Sequence, residues 1–157
     1  MEMSIRPYRS ADAPQVGAIF RRAILEIGAR DYTPDQVAAW AGPVDAAARL
    51  DARLSDGRLA LVAIDDAGSV LAFGDLEADG HIDFLYAAPQ AAGTGVASAL
   101  YDALEADARE RAVARLYSEA SEAARRFFLK KGFIVLHRRD FAVRGVAIHN
   151  YAMEKRF

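Results

Sequence analysis

Residues 89–104 read PQAAGTGVASALYDAL and decide the fold more than any other stretch of the chain. A proline ends an apolar segment, a glycine-containing turn follows, and apolar residues then recur at helical spacing from Val96 to Leu104. The pattern predicts a strand, a tight turn and an amphipathic helix. Because the first N–H groups of a helix lack partners and carry the positive end of its dipole, this turn can bind an anion such as a phosphate. Glycines that serve only backbone freedom explain the same spacing, so the turn alone leaves both interpretations open.

The composition limits what surrounds this turn. The 157 residues suffice for one domain, which we take to span residues 1–157. The absence of cysteine excludes disulfides and thiolate catalysis, and the net charge of −2 provides no basic field to attract nucleic acid. We see neither a leader pattern nor an apolar run approaching the ~20 residues that cross a bilayer, so the expectation is a cytoplasmic protein without membrane contact.

The remaining sequence alternates strand and helix patterns. The predicted strands are Ser4–Tyr8, Leu59–Ile64, Val70–Leu76, His81–Ala87, Ala114–Ser118, Phe133–Val143 and Val146–Met153. The predicted helices run over Val16–Ile27, from the capping box at Thr33 to a stop at Gly42, over Val44–Leu54, from Val96 to near Arg111, and from a cap at Ser121 to Gly132. Without repeats or linkers, this order predicts one α+β domain with a mixed sheet.

Two separated signatures resemble the GNAT superfamily of acetyl-CoA-dependent N-acetyltransferases. They are residues 85–100, LYAAPQAAGTGVASAL, and residues 124–133, ARRFFLKKGF, and the element order extends the resemblance over nearly the whole chain. Residues 32–40 and 144–150 are similar to a small group of bacterial members. The resemblance implies a mostly antiparallel central sheet flanked by helices, acetyl-CoA as co-substrate, no metal, and an amine of a small molecule or a protein as acceptor. It also allows a homodimer.

The resemblance assigns the coenzyme to the loop and to the second signature. Ala92, Gly95 and Ala97 fall on the positions of the superfamily's pyrophosphate loop, although Ala92 replaces the usual glutamine or arginine. Backbone N–H groups would then hold the diphosphate. The residues implied in coenzyme binding are Leu85, Tyr86, Ala87, Ala92, Gly93, Thr94, Gly95, Val96, Ala97, Ser98, Phe127, Phe128 and Lys130. Phe128 stands where many relatives carry a tyrosine that protonates the leaving thiolate, so another group, water or unassisted departure must serve here.

Acetyl transfer to an alkyl amine needs a group that takes a proton, because such an amine has a pKa of about 10.4. Strand periodicity places His81, Asp83 and Leu85 on one face and apolar residues on the other. We therefore predict Asp83 as the base or substrate anchor, with His81 second and Glu119 third. Solvated strand or helix-end residues are the alternative interpretation for all three.

Substrate choice is expected to lie with the first two helices and the last hairpin, which overhang the cleft in this superfamily. The predicted substrate-binding residues are Tyr32, Trp40, Asn150 and Tyr151. Trp40 also lies on an apolar stripe, and we expect only one of Asn150 and Tyr151 to face the cleft. The simplest interpretation of His149 is a strand residue with its ring in water.

Direct transfer to an amine is the function that these observations favour, since no cysteine is present to form a covalent acyl-enzyme. Two alternatives stay open. A non-catalytic acyl-CoA-binding module would explain Phe128, and an acetyltransferase acting on charged tRNA would need a basic rim that the composition does not show.

Overall fold

The computed structural model describes residues 2–43 and 46–157 and contains five α-helices and seven strands in those residues. The strands are β1 (Met3–Pro7), β2 (Leu59–Asp65), β3 (Val70–Leu76), β4 (Leu85–Ala87), β5 (Arg115–Ala120), β6 (Ile134–Val143) and β7 (Val146–Arg156). The helices are α1 (Ala13–Arg22), α2 (Pro34–Ala41), α3 (Ala46–Leu54), α4 (Val96–Glu110) and α5 (Glu122–Lys130).

The strands form two antiparallel sheets, in the orders β1-β2-β3-β4 and β5-β7-β6. A single parallel bridge between His81 and Tyr117 links them, reinforced by a 2.7 Å hydrogen bond from the Ser118 hydroxyl to the Ile82 carbonyl. The predicted mixed, mostly antiparallel sheet with flanking helices is confirmed. Beyond the bridge β4 and β5 pair with different neighbours, so a cleft opens between the two sheets.

The predicted strand His81–Ala87 is too long, because the regular ladder begins only at Leu85. The reason is Asp75, a fully buried carboxylate on β3. Its Oδ1 accepts the N–H groups of Asp83 (2.9 Å) and Phe84 (2.7 Å), so a side chain replaces a main-chain carbonyl as their acceptor. The strand departs from ladder geometry at this point and resumes beside β3 for three residues.

The first helix also differs from its prediction. The α-helix ends at Arg22, and a π-helical turn, Ala23–Ile27, precedes a short 3₁₀ turn over Gly28–Arg30. A prediction of one regular helix over Val16–Ile27 is therefore wrong in its second half. Such π-helical turns occur often beside functional sites.

The capping predictions agree with the structure. The Gln36 N–H donates to the Thr33 hydroxyl at 3.2 Å, and the Gln36 side chain accepts the Thr33 N–H at 3.0 Å, which is the predicted capping box. Ser121 caps α5 through a 3.3 Å hydrogen bond from Ala124. The helix predicted over Val44–Leu54 is observed as α3, and its first two predicted residues lie outside the described ones.

Two hydrophobic clusters hold the layers together. The larger one packs α1, α2 and α3 against the β1–β4 sheet, with Phe73 and Val62 fully buried. The smaller one packs α4 and α5 against β5 and β7, with Leu104 and Leu116 at its centre. The cleft runs between these two cores, so each wall has its own packed support.

Candidate active site

A cleft of about 340 Å³ lies where the two sheets diverge. Its floor is β4, one wall is the start of α4 together with α5, and the other wall combines the π-helical turn, α2 and the β6–β7 hairpin. Apolar and aromatic side chains dominate the lining. Its side chains with polar atoms are Asp31, Tyr32, Trp40, Asp83, Tyr86, Ser118, Glu119, Ser121, His149 and Asn150.

The glycine turn forms one end of the cleft. Gly93 and Gly95 have φ values of 77° and 87°, in the left-handed region that favours glycine. A Cβ added at either position would meet nothing within 4 Å, so the space in front of the turn is open. The Ala99 N–H already donates to Gly95 at 3.0 Å, whereas the preceding N–H groups belong to the first helical turn, which lacks intrahelical partners.

The predicted loop residues divide between the cleft and the helix. Ala92, Gly93 and Ala97 line the cleft, while the Val96 side chain is buried in the larger core. The Thr94 hydroxyl donates to the Ala91 carbonyl at 2.5 Å and so tightens the turn. The backbone around Gly95 thus shapes an open end of the cleft.

Helix α5 supplies the neighbouring wall. Phe127 and Phe128 both line the cleft, and Phe128 is 2% exposed and packs edge-on against Tyr101. Lys130 is exposed at the end of the helix. Its neighbour Lys131 reaches α4 instead, donating to the Ser98 hydroxyl at 2.5 Å.

The β4 segment lies along the floor. Leu85, Tyr86 and Ala87 line the cleft, as does Asp83, and Ile82 lines it from the buried side. The Asp83 carboxylate accepts hydrogen bonds from Arg58 (3.1 Å) and Arg53 (3.3 Å). Both arginines donate to the same oxygen, Oδ2, and the role of Asp83 in catalysis stays a prediction.

Arg58 and Asp75 form a buried ion pair beside this floor. The Arg58 guanidinium is 8% exposed and donates to Asp75 at 2.6 Å and to Asp56 at 2.9 Å. Burial raises the pKa of Asp75 to about 6, against the hydrogen bonds from Phe84 and Arg58 that lower it. Asp75, which accepts the N–H groups of the two residues before β4, is therefore itself held in place by a buried cation.

His81 lies beside the cleft, between two carboxylates. Its Nε2 is 2.8 Å from Glu119, and its Nδ1 contacts Glu77. The hydrogen bond to Glu119 outweighs burial and, with Glu77, raises the pKa of His81 to about 9. The ring is therefore protonated at neutral pH and cannot accept a further proton. The same hydrogen bond lowers the pKa of Glu119, which lines the cleft as a carboxylate.

The predicted substrate-binding residues surround the other end of the cleft. Tyr32 and Trp40 line it and pack edge-on, with ring centroids 5.5 Å apart. Asn150 lines the cleft and accepts from Arg139 at 2.9 Å. Tyr151 points to α5, where its hydroxyl donates to Glu122 at 2.8 Å.

His149 differs from its sequence interpretation. Its ring lines the cleft, is 17% exposed and places Nε2 at 2.6 Å from Glu122. An interpretation as a strand residue with its ring in water is wrong. The chain folds this way because the Tyr32 hydroxyl accepts the Glu122 N–H at 3.1 Å and donates to the His149 carbonyl at 3.0 Å. One hydroxyl thus brings α5 and β7 together.

The sequence did not predict four supporting groups, Arg58, Asp75, Glu122 and the ring of His149, although two signals were available. Asp75 is a charged residue within the otherwise apolar run Val70–Leu76, and burying it requires a partner. The alternation of β7 puts His149 and Tyr151 on one face. Nothing in the sequence places Arg58 or Glu122 beside them.

Residues 2–43 and 46–157 contain no group of three or more histidine, aspartate or glutamate side chains arranged to hold a metal ion. They also contain no helix long and apolar enough to cross a membrane.

The splayed sheets, the glycine turn at a helix start and the cleft between them fit the acetyltransferase fold that the sequence resembles. Residues 28–155 match the sequence model of the acetyltransferase (GNAT) domain, and the chain belongs to this family. It is an N-acetyltransferase.

Relatives agree with this assignment. The chain is 32% identical to YafP, an uncharacterized N-acetyltransferase of Escherichia coli (strain K12), over 96% of this chain and 94% of YafP. A crystal structure of a GCN5-related N-acetyltransferase from Rhodopseudomonas palustris has 38% identity and a TM-score of 0.90, covering 100% and 99% of the two chains. The PaiA N-acetyltransferase from Thermoplasma acidophilum, solved with coenzyme A, has 18% identity and a TM-score of 0.79 over the full length of both chains.

Proposed function

We propose that the chain transfers the acetyl group of acetyl-CoA directly to a positively charged amine. The observation that carries this proposal is the cleft itself, which joins an open helix N-terminus to a lining with acidic side chains. Acetyl-CoA supplies a thioester as the acyl donor. Residues of this chain would bind the donor, bind the amine and stabilise the charge that develops on the acetyl oxygen.

The donor half would be held by the glycine turn. Both glycines leave open the space that a side chain would take, and phosphate binds well at a helix start such as that of α4. Phe127 would border the pantetheine arm. The PaiA structure, which contains coenzyme A in the same fold, supports this use of the cleft.

The acceptor half would bind an ammonium group. Three carboxylates line the cleft, from Asp31, Asp83 and Glu119, and no lysine or arginine is found in the lining among the residues described. Arg126 donates to both carboxylate oxygens of Asp31, and two arginines donate to Asp83. Within the described residues Glu119 has a single side-chain partner, His81, at Oε1, so it is the carboxylate best able to accept a further hydrogen bond from a substrate. We assign it as the ammonium anchor, with protonated His81 fixing its position.

The reaction itself would use the backbone of β4. The alternation of an antiparallel ladder turns the N–H groups of Leu85 and Ala87 away from β3, and these two groups would stabilise the developing charge on the acetyl oxygen. Phe128 has no proton to donate. A thiol has a pKa of about 8.5, so the coenzyme can leave as the thiolate and take its proton afterwards.

Release of free thiol from acetyl-CoA across a panel of primary amines tests the proposal. We expect turnover with cationic alkyl and arylalkyl amines and none with neutral amides. Glu119→Gln should raise KM for the amine about 10-fold or more, the loss expected for one charge-assisted hydrogen bond, with coenzyme A affinity unchanged. Glu110→Gln, an exposed position on α4, is the matched control and should leave KM unchanged.

The outcomes separate the alternatives. Binding of acetyl-CoA by calorimetry without thiol release for any amine would overturn the transferase and favour the acyl-CoA-binding module that Phe128 suggests. Turnover only with charged tRNA, lost at high salt, would point to the RNA substrate. Failure to bind coenzyme A would overturn the donor assignment as well.

A further inference from the structure

His149 and Glu122 form a histidine–carboxylate pair on the wall of the cleft, where neither the sequence motifs nor the family assignment places a function. The His149 ring shares the cleft lining with Leu85, Tyr86 and Glu119. Its Nε2 lies 2.6 Å from Glu122, and this is the one side-chain hydrogen bond of the ring within residues 2–43 and 46–157. The second ring nitrogen, Nδ1, therefore has no assigned structural task there.

The chemistry of the carboxylate fixes the tautomer of the ring. Burial would raise the pKa of Glu122, but hydrogen bonds from His149, Tyr151 and Arg125 lower it to about 2. An ionised carboxylate only accepts hydrogen bonds, so Nε2 must carry the proton in the neutral ring. The lone pair is then on Nδ1, the nitrogen that a base would use.

The surroundings hold this pair in place from three elements. Tyr32, which precedes α2, packs its ring 5.3 Å from the imidazole and bonds to the backbone of both partners. Tyr151, on the same strand, shares the Glu122 oxygen. The other charged groups near the pair come from α5 and β6. They are Arg125, 3.1 Å from Glu122, its neighbour Arg126, and the β6 residues Asp140 and Arg138, which are the register partners of His149 and Tyr151. A ring fixed by so many contacts keeps one orientation toward the cleft.

From this geometry we propose that His149 is the general base of the reaction, oriented by Glu122, and that it takes the proton from an amine anchored at Glu119. This inference rests on the proposed function. The ammonium gives one proton to Nδ1, and the freed lone pair forms the C–N bond at the thioester carbon. The C–S bond breaks, and the sulfur leaves with its electron pair. The second proton passes from the new amide nitrogen to the thiolate, and the first returns to water when His149 deprotonates.

Glu119 and His149 have different proposed roles, so their variants should change different kinetic constants. His81 and Glu119 neutralise each other, so Glu119 can bind the ammonium but is a weak proton acceptor, since its pKa is lowered. Loss of the anchor should therefore act on KM, whereas loss of the base should act on kcat.

Steady-state kinetics with the best amine of the panel test the assignment. His149→Gln should lower kcat about 100-fold or more, as expected for a general base, and should abolish the acidic limb of the pH profile. Coenzyme A affinity by calorimetry should stay within about twofold. Glu122→Gln should also lower kcat, while Glu110→Gln, an exposed position on α4, should leave kcat within about twofold.

A structural role would give a different result. In His149→Ala, added imidazole should restore turnover, and a residue that only packs against Tyr32 would show no such rescue. Wild-type kcat and an unchanged pH profile in His149→Gln would overturn the proposal while leaving the transferase intact.

A second readout does not depend on turnover. The chain has three histidines, so nitrogen NMR can resolve each ring. We expect the neutral His149 ring to carry its proton on Nε2, and His81 to be doubly protonated at pH 7.5. A neutral His149 ring with its proton on Nδ1 would overturn the assignment even if no amine of the panel reacted.

Discussion

His81→Gln should remove a pH-dependent part of the stability of the fold. His81 is 15% exposed and forms, with Tyr117, the one β-bridge that joins the two sheets within the described residues. Its ring contacts two carboxylates, Glu77 beyond β3 and Glu119 on β5. Its pKa rises from 6.5 to about 9 in the folded protein, chiefly through the hydrogen bond to Glu119 and despite burial.

The sign and size of the effect follow from this shift. The folded state binds the proton more tightly than the unfolded state, so the contribution is fully present below pH 6.5 and is lost as the pH rises through about 9. At about 1.4 kcal/mol for each pKa unit, the proton contributes on the order of 3 kcal/mol at pH 6. Glutamine keeps one hydrogen bond but carries no charge.

Urea unfolding between pH 5.5 and 9.5 measures this difference. We expect the gap in unfolding free energy between wild type and His81→Gln to shrink by about 2–3 kcal/mol from the low to the high end of the range. His137→Gln is the control, because His137 is exposed on β6 and contacts only a neighbouring carbonyl in the described part of the chain. Parallel curves for wild type and His81→Gln would refute the reasoning.

Three further predictions concern the floor and the loop. Gly95→Val should weaken coenzyme A binding at least 10-fold because φ at this residue is 87°, a conformation that costs a side-chain-bearing residue about 1–2 kcal/mol; unchanged affinity by calorimetry would count against the phosphate site. Asp75→Ala should lower the unfolding free energy by about 3–5 kcal/mol, because it leaves buried Arg58 and two N–H groups without their acceptor. The exposed control Asp56→Ala should cost much less, and equal losses for the two variants would contradict the prediction. Asp83→Asn should lower turnover more than it lowers coenzyme A affinity, and wild-type turnover would reduce Asp83 to a structural residue.

Local chemistry made much of the fold predictable. The capping box at Thr33, the cap at Ser121 and the positive-φ glycines depend on neighbouring residues, and the structure has them where the sequence indicates. The order of helices and strands along the chain followed from the alternation of their sequence patterns. These features need no information about distant contacts.

The errors arise where a distant residue changes local geometry. Asp75 shortens β4 by taking two of its N–H groups, and the sequence around residue 83 contains no sign of this. The pairing of His149 with Glu122 joins residues 27 positions apart, through a tyrosine more than 100 positions away in sequence from His149. The alternation of β7 puts His149 on the same face as Tyr151, but it does not show that this face contacts Glu122.

In the proposed complex, the first N–H groups of α4 hold the diphosphate of coenzyme A. Backbone amide NMR during a titration with coenzyme A measures this contact, because each amide reports its own change in chemical shift. We predict that the largest shifts fall on residues 93–98 and that the same amides respond weakly to pantetheine, which lacks the diphosphate. Saturable binding that leaves these amides unmoved, or equal responses to both compounds, would contradict it.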